Sequence, residues 1–529
     1  MLSSRDNQPS HTGVLKGSRG GSHPLIPFRT FFSSYSPDTT VIFPLSTMKR
    51  FIILSIFTLL SVSVFGQSRT EALLRFQQRR NGALQEFQEN RRKAYADFIR
   101  KRWEAWNVET PEELPMRVEP DQPVVKPVDD VVSPAKEIEA TPKAIETEII
   151  IPTTEEFEIA PTELPPLPPA RRDDVRFDFY GAKCEVTFDK ANRFTLSSID
   201  ENSVADAWLQ MDNEAYDRLI ADSKALKDEL YLNDWGYNLL VKHVAEEICG
   251  ADSNESVVLR AFLLGESGYK MRLARCDSRL VLLIAAEQNI YGRHFINIRG
   301  DKFYIFETLP NMSIHVCNNS IDAEQALCFK MPTPPALPYA KGNGFSRNNP
   351  RNGDMLNIVP NANLMDFYSD YPQCDWSIFA ETSFSDMVYL QLLGPLQKMV
   401  KNKSEVEALQ NILTMIQFSF PYQTDAQQFG CERTFFADEM FAYMYSDCED
   451  RSILLCRIVK DILNLDAVLL HYPNHIAAAV CLRSGSVGDT IMVGDKCYTI
   501  CDPTYVGSDI GESMPKFKNV APSAIITVE

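Results

Sequence analysis

The sequence predicts a mixed α+β protein, and three observations carry that prediction. Between Tyr445 and Tyr505 an apolar run at helical spacing (Ile453, Leu454, Leu455, Ile458, Val459, Ile462, Leu463) gives way to short strand-like runs, Ala467-Val468-Leu469-Leu470 and His475-Ile476-Ala477-Ala478-Ala479-Val480. Gly494-Asp495 then supplies a hairpin turn before a third strand that ends at Asp502-Pro503-Thr504, so the expected sheet is antiparallel. Similar text stands upstream: Ser256 to Leu264 resembles Ser452 to Lys460, and Gly300-Asp301-Lys302-Phe303-Tyr304 matches Gly494-Asp495-Lys496-Cys497-Tyr498 at four of five positions.

Taken from its start, the chain opens with residues 1–47, rich in Ser, Thr and Pro, which read as a disordered upstream extension. Met48-Lys49-Arg50, the uncharged run Phe51 to Phe65 and Gly66-Gln67 then have the layout of a secretory signal peptide over 48–66. Translation is expected to begin at Met48, and the protein to be secreted or periplasmic. The run is too short for a comfortable membrane span, so the mature chain is expected to have none; an uncleaved signal anchor is the competing reading. Twelve cysteines are compatible with some disulfides in that compartment.

Residues 67–107 form an amphipathic helical arm in this reading. Leu73, Leu74, Phe76, Leu84, Phe87, Tyr95, Phe98, Ile99, Trp103 and Trp106 make a broken apolar stripe over 68–106, suited to packing on its own protein, a second copy or an envelope partner. Residues 108–172 read as an extended Pro/Glu-rich linker. An α/β domain follows over 173–330, then a connector over 331–395 whose Pro332 to Pro350 stretch reads as an exposed loop, with Trp376 and Phe379 as anchors behind it. The last domain, 396–529, starts with an amphipathic helix through Leu409, Ile412, Leu413 and Ile416. A length of 529 residues with 44% hydrophobic content allows two or three domains with real cores. The net charge of −18 argues against nucleic acid or an anionic membrane surface as the main partner.

Three residues in the last domain are spaced as a nucleophilic site would be. Cys448, His475 and Asp502 are separated by two equal gaps of 27 residues. Asp447 is placed to cap a helix whose first turn holds Cys448, where amide donors and the helix dipole favour the thiolate. Cys448 would attack, His475 would take and return the proton, and Asp502 would orient the imidazole. A zinc site from His471, His475, Cys497 and Cys501 is the rival reading, but these residues fall on expected strands without a tight knuckle. Glu449 and Asp450 read as first-turn helix stabilisers, and no cofactor or metal is assigned.

Asp447-Cys448-Glu449-Asp450, the helix, a His opening a strand and Asp-Pro-Thr closing one resemble the transglutaminase-like superfamily, a papain-like group that includes bacterial cysteine peptidases. Phe420-Pro421-Tyr422-Gln423-Thr424-Asp425 and Phe429-Gly430 agree with the segment these domains carry before the nucleophile. The resemblance to the superfamily is close over roughly 400–510 and loose elsewhere, and the chain also resembles secreted proteins of Bacteroides-type bacteria. The resemblance implies a papain/transglutaminase-like fold and a Cys-His-Asp triad acting on amide or peptide bonds of a protein or peptide substrate through a thioester. Water or an amine would resolve the thioester, and in a secreted protein hydrolysis is favoured. The Cys448 N–H and a second donor among Tyr422, Gln427 and Gln428 would form the oxyanion hole. Residues 173–330 would be a degenerate copy of this domain, with Asp252 in place of the nucleophile, Arg279 in place of the base and Glu307 or Thr308 in place of the carboxylate. Chance similarity of two α/β units is the alternative. The second functional reading is a non-catalytic envelope binding or assembly protein on the same scaffold.

Overall fold

The structure, a computed structural model, describes residues 80, 82–107, 123–126, 174–309, 313–317 and 324–528. They fall in two compact units, Met1–Ala83 and Leu84–Glu529. In the first unit only 80, 82 and 83 are described, and all three are helical. The expected upstream extension, the signal peptide and most of the linker lie outside the described residues.

The larger unit is mixed α+β, and all its described strand ladders are antiparallel. It opens with helix α1 (84–99), which buries Tyr95, Phe98 and Ile99. Tyr95 stacks on Trp208 with ring centroids 4.3 Å apart, and the buried Arg92 pairs with Asp212 at 2.8 Å and Glu266 at 3.3 Å. The helical reading of 68–106 needs a correction here. Helix geometry stops at residue 99, and Glu104–Asn107 is strand β1, paired with a strand some two hundred residues later. Tertiary ladder bonds override the helical stripe at Trp106.

A hairpin of β2 (Asp174–Phe179) and β3 (Ala182–Thr187) precedes four helices: α2 (Glu201–Gln210), α3 (Glu214–Glu229), α4 (Asp234–Cys249) and α5 (Asn254–Glu266). Asp200, Asn213, Asn233 and Ser253 cap them, each side chain accepting from a first-turn amide. Strands β4 (Met271–Cys276), β5 (Arg279–Ala285), β6 (Phe295–Ile298), β7 (Asp301–Ile305) and β8 (Ser313–Val316) complete a six-stranded sheet ordered β1-β8-β4-β5-β7-β6.

The segment 331–395 is not a connector. It holds the hairpin β9 (Ser346–Asn348) and β10 (Met355–Asn357) and the helices α6 (Ala362–Ser369), α7 (Trp376–Glu381) and α8 (Asp386–Val400). Phe367, Tyr368, Ile378, Phe379 and Leu392 are buried in the main apolar core, and Tyr368 stacks on Phe436 with centroids 4.2 Å apart. The stretch 332–350 is largely irregular and many of its residues are exposed, as read, while Leu337, Arg347 and Asn349 are buried. The linker reading also needs amending at one point: Val125 bridges Val506 in parallel, and Lys126 pairs with Glu512 at 2.7 Å.

Helix α9 (Glu405–Ser419) starts at a capping box from Ser404 and Glu407. The short helix α10 (Asp425–Gln428) and helix α11 (Cys448–Ile458) follow. Strands β11 (Asp466–Tyr472), β12 (His475–Cys481), β13 (Thr490–Val493), β14 (Lys496–Cys501) and β15 (Ala524–Thr527) form a five-stranded sheet ordered β13-β14-β12-β11-β15. One continuous apolar core runs between both sheets and the helices, and each sheet carries a smaller cluster on its other face.

The two sheets are laid out alike. With the edge strand β1 set aside, β8-β4-β5-β7-β6 has the same sequence order as β15-β11-β12-β14-β13. In each, the strand following the central helix turns through two residues into the next, with Cys276 opposite Arg279 and Tyr472 opposite His475. The sequence match at the second hairpin is one residue out of this register: Gly300 is the last turn residue before β7, whereas Gly494 is the first before β14. Among the described residues, no helix is long and apolar enough to cross a membrane.

Candidate active site

Cys448 opens α11, but its surroundings differ from those expected. The residue is 1% exposed, and its Sγ lies 3.2 Å from Glu449 Oε2 and accepts from the Ile476 N–H at 3.3 Å. Burial pushes the thiol well above its ordinary range, and the charges of Glu449 and Asp447 push it further. Desolvation first, and then the local carboxylates, act against the thiolate that the helix position was expected to favour. Asp447 occupies the cap position without a side-chain capping bond; Asp450 accepts from the Asp447 N–H at 3.3 Å and from the Phe435 N–H at 2.9 Å.

His475 opens β12 behind the turn Pro473-Asn474, where Asn474 takes a left-handed φ of 57°. Its Nε2 lies 2.8 Å from Asp502 Oδ2, and the ring stacks on Phe517 with centroids 5.1 Å apart and planes 6° from parallel. Asp502 uses its other oxygen to accept from the Thr504 and Tyr505 amides at 2.9 and 3.2 Å, which fixes the carboxylate. The thiol and the imidazole are not hydrogen-bonded to each other. Strand alternation is the reason. Ile476, Ala478 and Val480 face the core that includes α11, while Ala477 and Ala479 belong with Phe517 to the opposite face, where the imidazole also lies. The structure thus joins His475 to Asp502 and sets Cys448 against the backbone of the next residue.

Of the oxyanion candidates, only Tyr422 reaches the site. It bridges Ser446 in parallel, lies under the Arg451 guanidinium at 5.2 Å, and has its phenol raised by burial and by Cys448 and Asp447. Gln427 is exposed and Gln428 half-buried on α10, and neither has a hydrogen bond to Cys448. The zinc reading finds no support in position: His471 lies edge-on to Trp376, with centroids 4.9 Å apart.

Several residues at the site were not marked by the sequence. Arg451 is 1% exposed and donates to the Phe420 carbonyl, the Pro503 carbonyl at 3.4 Å and Ser446 Oγ at 3.4 Å, tying three loops to α11. Gln417 donates from Nε2 to the Tyr505 carbonyl at 3.0 Å and Ser508 Oγ at 3.1 Å, steadying the loop behind Asp502. Phe517 had no motif around it. The charged run Asp447 to Arg451 was the one signal for Arg451, since a cation one turn from a nucleophile would share its helix face.

The acidic residues around Cys448 form a group of their own. Carboxylate oxygens of Asp425, Glu432, Asp447 and Glu449 all lie within 4.8 Å of one another. Burial, then Asp450 and Glu449, pushes Asp425 up to about 10. Asp447 and Asp450 are also raised, chiefly by burial and next by Glu449.

In the first sheet, Asp252, Arg279, Glu307 and Thr308 line one pocket together with Lys242 and Arg260. Ladder register puts Glu307 where Asp502 stands: Ile305 faces Leu283 in one sheet and Cys501 faces Ala478 in the other. Glu307 is paired with Arg260 at 2.5 Å. Comparisons with protein-family models, with curated proteins and with solved structures find no match to this chain.

Proposed function

We propose that the C-terminal half is a transglutaminase-like thiol hydrolase held here in a closed resting arrangement. The observation that carries this reading is the buried 2.8 Å bond between His475 and Asp502 at the start of the strand whose next amide touches Cys448 Sγ. A solitary core histidine has no need of a carboxylate fixed by two backbone amides. With Nε2 held by Asp502, Nδ1 is the ring atom through which His475 would meet the thiol. The imidazole takes the thiol proton as Sγ attacks a carboxamide or peptide carbonyl carbon. The same proton passes to the departing nitrogen as the C–N bond breaks and a thioester forms. Water, deprotonated by the imidazole, then releases the acid and returns the thiol. The Cys448 N–H and the Tyr422 hydroxyl are the proposed oxyanion donors.

The first half is read as a related copy in which Asp252, Arg279 and Glu307 occupy the three positions. Shared strand order and convergence on one pocket support that reading. A signal peptide at Met48 and a secreted or periplasmic location belong to the same proposal. The second reading, an envelope binding or assembly protein on this scaffold, is favoured by the closed thiol with its raised titration.

Ammonia or amine release from glutamine-containing peptides by the full chain tests the choice. Release that disappears in Cys448→Ala and in His475→Ala supports the hydrolase. Release at the same rate in Cys448→Ala, or none from any glutamine or peptide substrate, contradicts it.

A further inference from the structure

Residues 123–126, the described part of the linker, dock beside the turn that carries Asp502. Their sequence prepares them for it. Pro123 has a fixed φ, Pro127 restricts Lys126 to extended backbone, and the β-branched Val124 and Val125 favour strand geometry. Val125 bridges Val506 in parallel. The Val506 N–H donates to the Val124 carbonyl, and the Lys126 N–H donates to the Val506 carbonyl, both at 2.9 Å. Val124 packs on the apolar cluster that contains Tyr472, Tyr505 and Phe517, while Val125 is exposed. The Lys126 ammonium donates to both oxygens of Glu512, at 2.9 and 2.7 Å. Glu512 is itself held, since it accepts from the Asp509 N–H at 3.0 Å.

These contacts bear on the site because of what lies next to Val506. Thr504 and Tyr505 supply the two amides that hold Asp502, and Phe517 is the ring on which His475 stacks. Gln417 braces the same turn from α9, donating to the Tyr505 carbonyl at 3.0 Å and accepting from the Gly507 N–H at 3.3 Å. We infer that residues 123–126 are a strap that positions Asp502, with Val124 and Lys126 as the positioning residues. This role belongs to the thiol chemistry proposed above and rests on it. Addition of an extended segment to a free edge gives main-chain hydrogen bonds, and a segment already biased to extended backbone loses little freedom on docking. Detachment takes both partners from the Val506 main chain and Val124 from the cluster around Phe517. The turn then moves more freely, and the carboxylate loses the fixed position from which it stabilises an imidazolium.

The test compares the full chain with the double variant Val124→Asp, Lys126→Glu, by amide hydrogen exchange and by alkylation of Cys448 from about pH 6 to about pH 8. Exchange over residues 504–508 is expected to quicken about tenfold in the double variant, with β11 and β12 protected as before. Alkylation of Cys448 is expected to slow about tenfold across the range. Lys126→Arg keeps the pair with Glu512, and Val125→Thr alters a side chain that is 66% exposed; both are expected to match wild type in the two measurements. Unchanged exchange in the double variant overturns the strap. Faster exchange with unchanged alkylation overturns its positioning of Asp502. Absence of Cys448 labelling in the folded wild-type protein overturns the thiol chemistry and the positioning role with it, and exchange alone then decides whether the strap holds the turn.

Discussion

Asp502 holds the His475 ring from a fixed position: one carboxylate oxygen meets Nε2 at 2.8 Å, and the other accepts two backbone amides from its own turn. The carboxylate is therefore anchored before the imidazole arrives, and the pair is buried against Phe517. An imidazolium formed next to such a carboxylate is stabilised without any reorganisation of the loop.

Asp502→Asn removes that stabilisation while keeping shape and the amide contacts. Alkylation of Cys448 at neutral pH is expected to slow about tenfold, with a shift of roughly 1.4 kcal/mol between the two rates' barriers. Intact-mass measurement of labelling against time checks it. An unchanged rate means that the pair has no influence on the thiol.

Arg451→Lys retains the charge but cannot span three acceptors, because the guanidinium fork presents donors in directions that a single ammonium cannot. Leaving a buried carbonyl without its donor costs about 1–3 kcal/mol. The variant is expected to lose that much stability in denaturant unfolding, and the loops at Phe420, Ser446 and Pro503 are expected to exchange amide hydrogens faster. A variant as stable as wild type contradicts the clamp.

Gln417→Leu is nearly isosteric and removes the donor that meets the Tyr505 and Ser508 groups. A loss of about 1–3 kcal/mol is expected, with faster hydrogen exchange confined to the turn after Asp502. Exchange spread evenly over the sheet would show that the effect is not local.

Asp438 gives the fold a pH dependence of known sign. Burial raises it from 3.8 to about 7, against hydrogen bonds from Ser385. In the folded protein it binds its proton more tightly than in the unfolded chain. Its contribution is present below about pH 4 and is lost as pH rises through about 7. Asp438→Asn removes this dependence, so relative to wild type the variant is expected to gain stability as pH rises from about 4 to about 7. A constant difference in urea midpoint across that range contradicts the assignment.

Much of the C-terminal half was legible because local pattern and tertiary structure agree there. The helix behind Cys448, the strand opening on His475 and the turn at Gly494-Asp495 stand where periodicity and turn chemistry put them. The layered segment 331–395 was hidden because its Pro- and Asn-rich text carries no period, and its helices α6 and α7 are short. Strand β1 was hidden by Trp106, which fits a helical stripe as well as a ladder with β8. The site's electrostatics were read with the wrong sign. A first-turn cysteine suggests a thiolate, yet sequence spacing gives no view of Asp425 and Glu432 arriving from another segment, or of complete burial. Strand alternation at His475 and Ile476 was readable, but which face α11 covers was not.

The most direct test of the central claim is the rate at which a small alkylating reagent modifies Cys448 in the folded full chain, compared with His475→Ala across neutral pH. The account predicts labelling of Cys448 in the native protein that slows at least tenfold in the variant, because the imidazole takes the thiol's proton whenever the site opens. Labelling only on unfolding, or at the same rate in both proteins, would contradict it and leave a binding protein in place of a hydrolase.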